Sequence, residues 1–267
     1  MRTEFALLLA AGLLASCAAQ TPPPAPASVA RVLPPAVAAP MARPGVSLAQ
    51  LALAAPAYRP AAFGSVEAPL APDGAAAEAN ILRQWERVLA WLRTRGSAWR
   101  DCALGVAACR SAPEQAWREL IASARGLPPE QQLDRINRAV NRTPYVDDAR
   151  RDGAPDHWAT PEEFLLDAGD CEDFAIAKYV ALRHLGFRAE TLRIVVLTDS
   201  IRGQVHAVLA FGAPGNMVIL DSLSNELFPD ALYAHYVPHL SVNELGRWEH
   251  FGRTVVPLAG LPAGPGG

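Results

Sequence analysis

The sequence predicts an α+β domain in which a helical half precedes a sheet, and three stretches predict it. Helical periodicity recurs from residue 78 to 142, a nearly all-apolar helix is framed by Asp170 and Gly186, and β-branched runs take over after Gly186. With 267 residues, 51% of them hydrophobic, the chain has material for one core of about 150 to 200 residues plus appendages.

The first helix is read from EANILRQWERVLAWLRTR, residues 78–95, where Ile81, Leu82, Trp85, Val88, Leu89 and Leu92 share one face and Gly96 is the stop. Residues 113–125 and 129–142 repeat the pattern. Trp85, Trp91, Trp99 and Trp117 are read as packing residues. Thr160-Pro161-Glu162-Glu163 has the form of a capping box with proline at the first helical position. Asp170 offers the N-cap of the next helix, which places Cys171 in its first turn. Phe174, Ala175, Ile176, Ala177, Tyr179, Val180, Leu182 and Leu185 make that helix apolar nearly all round, so it must lie buried.

Strands follow in ETLRIVVLT, VHAVLAF and NMVILD. Gly212-Ala213-Pro214-Gly215 is read as a four-residue loop of a hairpin, so that Phe211 faces Asn216 and His206 falls directly opposite Asp221. Register then brings an imidazole and a carboxylate together on one sheet face. With Cys171 at a helix start, the three roles of thiol catalysis are filled: nucleophile, base and orienting acid.

Outside the domain, Arg2, the short apolar run Phe5 to Leu14, and Leu14-Ala15-Ser16-Cys17 resemble a bacterial lipoprotein signal. Residues 1–16 are expected as the signal peptide and Cys17 as the lipidated residue, with Ala18 resembling the outer-membrane sorting class. The expected location is periplasmic and lipid-anchored, at the outer membrane. Residues 18–72 hold 12 of the chain's 24 prolines and only Arg31, Arg43, Arg59 and Glu67 as charges, a composition for a tether rather than a core. The folded domain is placed at 73–256, with a flexible tail over 257–267.

A net charge of -3 and a pI near 6.1 leave no basic footprint, which excludes nucleic acid as a partner. In an oxidising compartment Cys102 and Cys109, seven apart, are expected to form a disulfide, leaving Cys171 as the one free thiol. Trp158 is read either as a substrate-cleft aromatic or as packing. His157, His184, His235, His239 and His250 show no metal-ligand spacing, and Asp147, Asp148, Asp152 and Asp156 are read as acids solvating a loop.

Asp170, Glu172 and Asp173 surround the cysteine with negative charge that would raise a thiol's pKa. Three acids within four residues exceed what helix capping needs, and carboxylates on such a turn suit a hard cation such as calcium.

DHWATPEEFLLDAGDCEDFAIAKYVALRHLGF, HAVLAF and VILDSLSNEL resemble the bacterial transglutaminase-like cysteine proteinase family, including its LapG-type periplasmic members, over about residues 78 to 256. The resemblance implies a papain-like, transglutaminase-like core with Cys171 as nucleophile, His206 as base and Asp221 as orienting acid. It also implies a calcium cofactor held by Asp170, Glu172 and Asp173. The implied substrate is a large surface adhesin cut near a pair of alanines, and the implied regulator is an inner-membrane cyclic di-GMP receptor. LapG-type proteases are usually soluble in the periplasm, so a lipidated chain departs from the pattern. Two other readings use the same residues differently: an acyltransferase passing the acyl group to an amine, and a non-catalytic envelope-binding lipoprotein.

Overall fold

The structure, a computed structural model, describes residues 72–148 and 156–250. The lipobox, Cys17, the tether, Asp152 and the tail after 250 lie outside the described residues. Among those described, no helix is long and apolar enough to cross a membrane.

Among the described residues, six α-helices lead into the sheet. They are α1 (Pro72–Trp91), α2 (Ser97–Ala103), α3 (Ala112–Ala124), α4 (Pro129–Val140), α5 (Pro161–Asp167) and α6 (Cys171–His184). The expected stop at Gly96 is not one. A π-helical turn, Leu92–Gly96, joins α1 to α2, and Gly96 keeps helical angles inside it. The turn is followed by Trp99, which packs edge-on against Trp91 and tilted against Trp117. Trp85, Trp99 and Trp117 are buried and Trp91 packs against the same core, so the tryptophans act as packing residues. Cys102 and Cys109 are joined by a disulfide across the α2–α3 connection.

The strands are β1 (Leu192–Asp199), β2 (Gln204–Ala213), β3 (Asn216–Leu220), β4 (Phe228–Pro229), β5 (Tyr236–Asn243) and β6 (Gly246–Glu249). They form one antiparallel sheet in the order β4-β3-β2-β1-β5-β6. The last three strands have no counterpart in the sequence reading. β5 carries Pro238 where its pairing with β1 shifts register, between Val196↔Leu240 and Leu197↔Pro238. A proline cannot donate to a ladder, and it sits at the irregularity as expected.

Helix α6 packs on the face of β1 and β2 that carries Leu192, Ile194, Val196 and Leu209, and the helical half completes that core. On the other face, Val195, Leu197, Val208, Ala210, Met217, Ile219 and Tyr236 form a second buried cluster. Both faces being covered explains why β1 reads as a continuous apolar run rather than an alternating one.

The β2–β3 register differs from expectation by two residues. Ala213 pairs with Asn216 and Leu209 with Leu220, so the connection is the two-residue turn Pro214-Gly215, with Gly215 at φ +81°. Proline followed by a glycine of positive φ is the residue pair a type II turn requires. Gly212 belongs to the strand, where a Cβ would lie 2.6 Å from Asn216 O.

Candidate active site

Cys171 owes its place to the two caps that precede it. Thr160 Oγ1 accepts from Glu163 N–H while the Glu163 carboxylate accepts from Thr160 N–H, so the first capping box forms as the sequence predicts. At α6, Asp173 Oδ2 accepts from Asp170 N–H at 3.1 Å and Asp173 Oδ1 accepts from Ala159 N–H. Asp173 thus ties the start of α6 to the segment before α5. Gly169 permits this, since a Cβ there would stand 2.1 Å from Asp173 Oδ2. The far end closes with Phe187 N–H on Leu182 O and Gly186 at φ +99°.

At the first position of a 14-residue helix, Cys171 lies at the positive end of the helix dipole, which favours a thiolate. Its Sγ is 3.2 Å from the backbone N of Ala207 on β2, the residue after His206. Tyr145 packs against both Cys171 and Ala207, stacking on Phe174 of α6 at 6.1 Å. The structure therefore brings the cysteine to the strand that carries the histidine.

His206 and Asp221 are both buried, and Nε2 of the imidazole is 2.9 Å from Asp221 Oδ1. A carboxylate only accepts, so Nε2 carries the hydrogen and Nδ1 is the nitrogen left for a proton transfer. Asp221 Oδ1 also accepts Leu223 N–H at 2.9 Å, and Oδ2 accepts the Tyr236 hydroxyl at 2.6 Å. Burial opposes ionisation of Asp221, but His206 and these donors outweigh it and hold the carboxyl well below the usual range. Tyr236 was not singled out in the sequence; it comes from an unrecognised strand and carries no motif. Lys178, on α6 two turns beyond Cys171, is wholly buried. Its ammonium has no hydrogen-bond partner among the described residues and lies 6.0 Å from the Phe174 ring. Burial pushes it down to about 7 against the opposing pull of Asp221.

The expectation of one free thiol is not met. Among the described residues no cysteine is free, and Cys171 is itself disulfide-bonded. A sulfur held this way is no nucleophile, so the chemistry below starts from reduced Cys171.

The acids around the sulfur form a larger group than the sequence reading allowed. Asp147 and Asp148 are buried, not loop-solvating as expected, and Asp148 accepts the His157 N–H. Asp156 is half-buried and bonded to the Trp158 indole at 3.2 Å. Glu172 Oε2 lies 3.3 Å from Cys171 Sγ. Asp170 is pushed up to about 7, first by burial and then by Asp148 and Asp147. Glu172 and Asp173 are also raised well above the ordinary range, by burial first and then by Asp170. The side-chain ligand atoms of Asp170, Cys171 and Glu172 lie within 4.8 Å of one another.

Among the described residues, neither oxygen of the completely buried Asp170 carboxylate has a hydrogen bond of ordinary geometry. A buried carboxylate so short of well-aligned donors, among other acids, suits a cation. The residues fit a hard one, which Asp170 and Glu172 would hold. Asp173, expected as a third ligand, accepts one backbone N–H on each of its oxygens.

Trp158 is 2% exposed and packs edge-on against Trp85 at 6.5 Å. Of its two readings, packing describes it, and the substrate-cleft reading does not hold because a ring enclosed in the core has no face to offer. His184, His239 and His250 face Trp117, Thr198 and Ser241 respectively.

The profile of the bacterial transglutaminase-like cysteine proteinase family matches residues 101–255. The chain belongs to this family. It is a transglutaminase-like cysteine peptidase with an α+β fold of helices on an antiparallel sheet. Among solved structures, LapG of Legionella pneumophila is 32% identical, covering 58% of this chain and 88% of that one, with a TM-score of 0.49. An EGTA-treated form of the Legionella protein gives 32% identity, 57% and 84% coverage, and a TM-score of 0.49. A calcium-bound form gives 30%, 61%, 93% and 0.49. No curated protein sequence matches. In the peptidase described here, the position before Cys171 and the two after it are all acidic and all buried.

Proposed function

We propose that the peptidase is an endopeptidase acting through Cys171, His206 and Asp221. The observation that carries this reading is the buried His206–Asp221 pair at 2.9 Å on the strand that also meets Cys171 Sγ. In the reduced protein, His206 Nδ1 takes the thiol proton and the helix start favours the thiolate. The sulfur attacks the scissile carbonyl carbon, and collapse of the tetrahedral intermediate breaks the C–N bond as the imidazolium returns its proton to the leaving amine. The thioester is then cleaved by water, with His206 as base, releasing a carboxylate and restoring the thiol. Asp221 keeps Nε2 protonated and steadies the imidazolium throughout.

Calcium at Asp170 and Glu172, completed by backbone carbonyls, would neutralise the charge that otherwise opposes the thiolate and would order the turn presenting Cys171. The nucleophile, the base and the orienting acid are all supplied by protein side chains.

The substrate is a protein, and the resemblance to LapG-type proteases supports a surface adhesin cut near a di-alanine site and control by a cyclic di-GMP receptor. Leu14-Ala15-Ser16-Cys17 supports lipidation at Cys17 and an outer-membrane tether. Incubating the reduced protein with candidate envelope proteins plus a labelled primary amine tests the reaction. New N-termini without label are expected. Amine-labelled products would establish acyl transfer, and no product with any envelope protein would favour a binding role.

A further inference from the structure

We propose that Tyr236 is a positioning residue of the Cys171–His206–Asp221 group, fixing the Asp221 carboxylate and damping its pull on the His206 proton. This rests on the roles proposed above for His206 and Asp221.

Asp221 is 1% exposed, so protein donors must replace the water an ionised carboxylate needs. Oδ1 has two, His206 Nε2–H and Leu223 N–H, each at 2.9 Å. Oδ2 has one among the described residues, the Tyr236 hydroxyl at 2.6 Å, which is short even for a bond to a charged acceptor. Without it the carboxylate would be held through one oxygen and free to rotate about that attachment.

The tyrosine is itself held. It is 4% exposed, its ring stacks on Tyr233 at 4.8 Å, and it meets the His206 ring edge-on at 5.8 Å. Burial and the Asp221 charge raise its phenol far above the ordinary range, so the hydroxyl remains a donor across any working pH.

Other ionisable groups face this pair from each neighbouring element. Lys178 approaches from α6, whose Cys171 meets the His206 strand at Ala207 N, Asp199 and Arg202 approach from the β1–β2 hairpin, and Tyr233 and His235 from the segment before β5. Among the described residues the bond to Oδ2 comes from Tyr236. Each donor draws on the same carboxylate charge, so removing the tyrosine hydroxyl leaves more of it acting on the imidazolium. A proton held more tightly on His206 is slower to leave for the departing amine.

The test is the imidazole titration of His206 by NMR in the reduced full chain, assigned with His206→Gln. Tyr236→Phe should raise that pKa by about half a unit to one unit. The alkaline limb of kcat/KM should move in the same direction, with kcat down about three- to tenfold. Tyr233→Phe is the control, since its hydroxyl has no hydrogen-bond partner among the described residues; it should move neither. In an Asp221→Asn background, Tyr236→Phe should add little, because it acts through the carboxylate. A Tyr236→Phe protein of lowered Tm with His206 titrating unchanged, or shifted downward, would make Tyr236 a packing residue and overturn the proposal. The titration needs no turnover, so it remains decisive if the endopeptidase reading fails.

Discussion

His206 and Asp221 meet at 2.9 Å as diagonal neighbours across the β2–β3 pair, not as opposed ones. Moving a register by two residues keeps each side chain on its face, whereas a shift of one would have separated them. The contact therefore survives an error in the expected loop length. Asp221→Asn should preserve the fold and leave a reduced rate, lower by about 10² to 10⁴-fold, because the amide no longer selects the Nε2–H tautomer. Cys171→Ala and His206→Ala should leave no measurable hydrolysis. Steady-state kinetics on the three variants checks the order.

Chelation should remove activity from the reduced protein, and added calcium should restore it. Magnesium should restore it poorly, being less tolerant of an irregular ligand set. Asp170→Ala and Glu172→Ala should abolish the calcium response with the far-UV circular dichroism unchanged. Full activity in excess chelator would reduce the acids to helix caps.

Gly169→Ala should destabilise the protein by about 1 to 3 kcal/mol, since its Cβ would collide with Asp173 Oδ2 and break the tie to Ala159. Gly246→Ala, where a Cβ meets nothing within 4 Å, is the matched control and should cost little. Denaturant unfolding of the two variants makes the comparison.

His184 predicts a pH dependence of stability. Its Nδ1 accepts the Trp117 indole N–H at 3.0 Å, and burial, then the charges of Arg100 and Arg183, push the imidazole down to about 4. A folded pKa below the unfolded value of 6.5 means the contribution is complete above about pH 6.5 and is lost as pH falls toward 4. The loss is on the order of 3 kcal/mol. His184→Gln, which keeps an acceptor for Trp117, should flatten the Tm profile between those pH values; an unchanged slope would place the acid sensitivity elsewhere.

Much of this site was legible because local chemistry fixes it. Thr160 and Glu163 form their box from neighbours in sequence, and the apolar α6 has nowhere to go but inside. The hairpin turn is not legible in the sequence because Gly212 has the look of a loop residue and is a strand residue close to Asn216 O. Strands β5 and β6 are not legible because Pro238 and the histidines of this segment obscure the alternation. With them went Tyr236, whose role depends on a pairing of β5 with β1 that no short-range pattern encodes. The buried state of Asp147 and Asp148 was equally hidden, since their partners lie about 10 to 25 residues further along the chain.

The most direct measurement is the pH dependence of Cys171 alkylation by iodoacetamide in reduced protein with calcium present, read by peptide mapping. The account predicts a thiolate that forms well below the ordinary thiol value of about 8.5. In His206→Ala the profile should move up by about two units or more. Identical profiles in the two proteins would show that His206 does not serve Cys171, and would contradict the account.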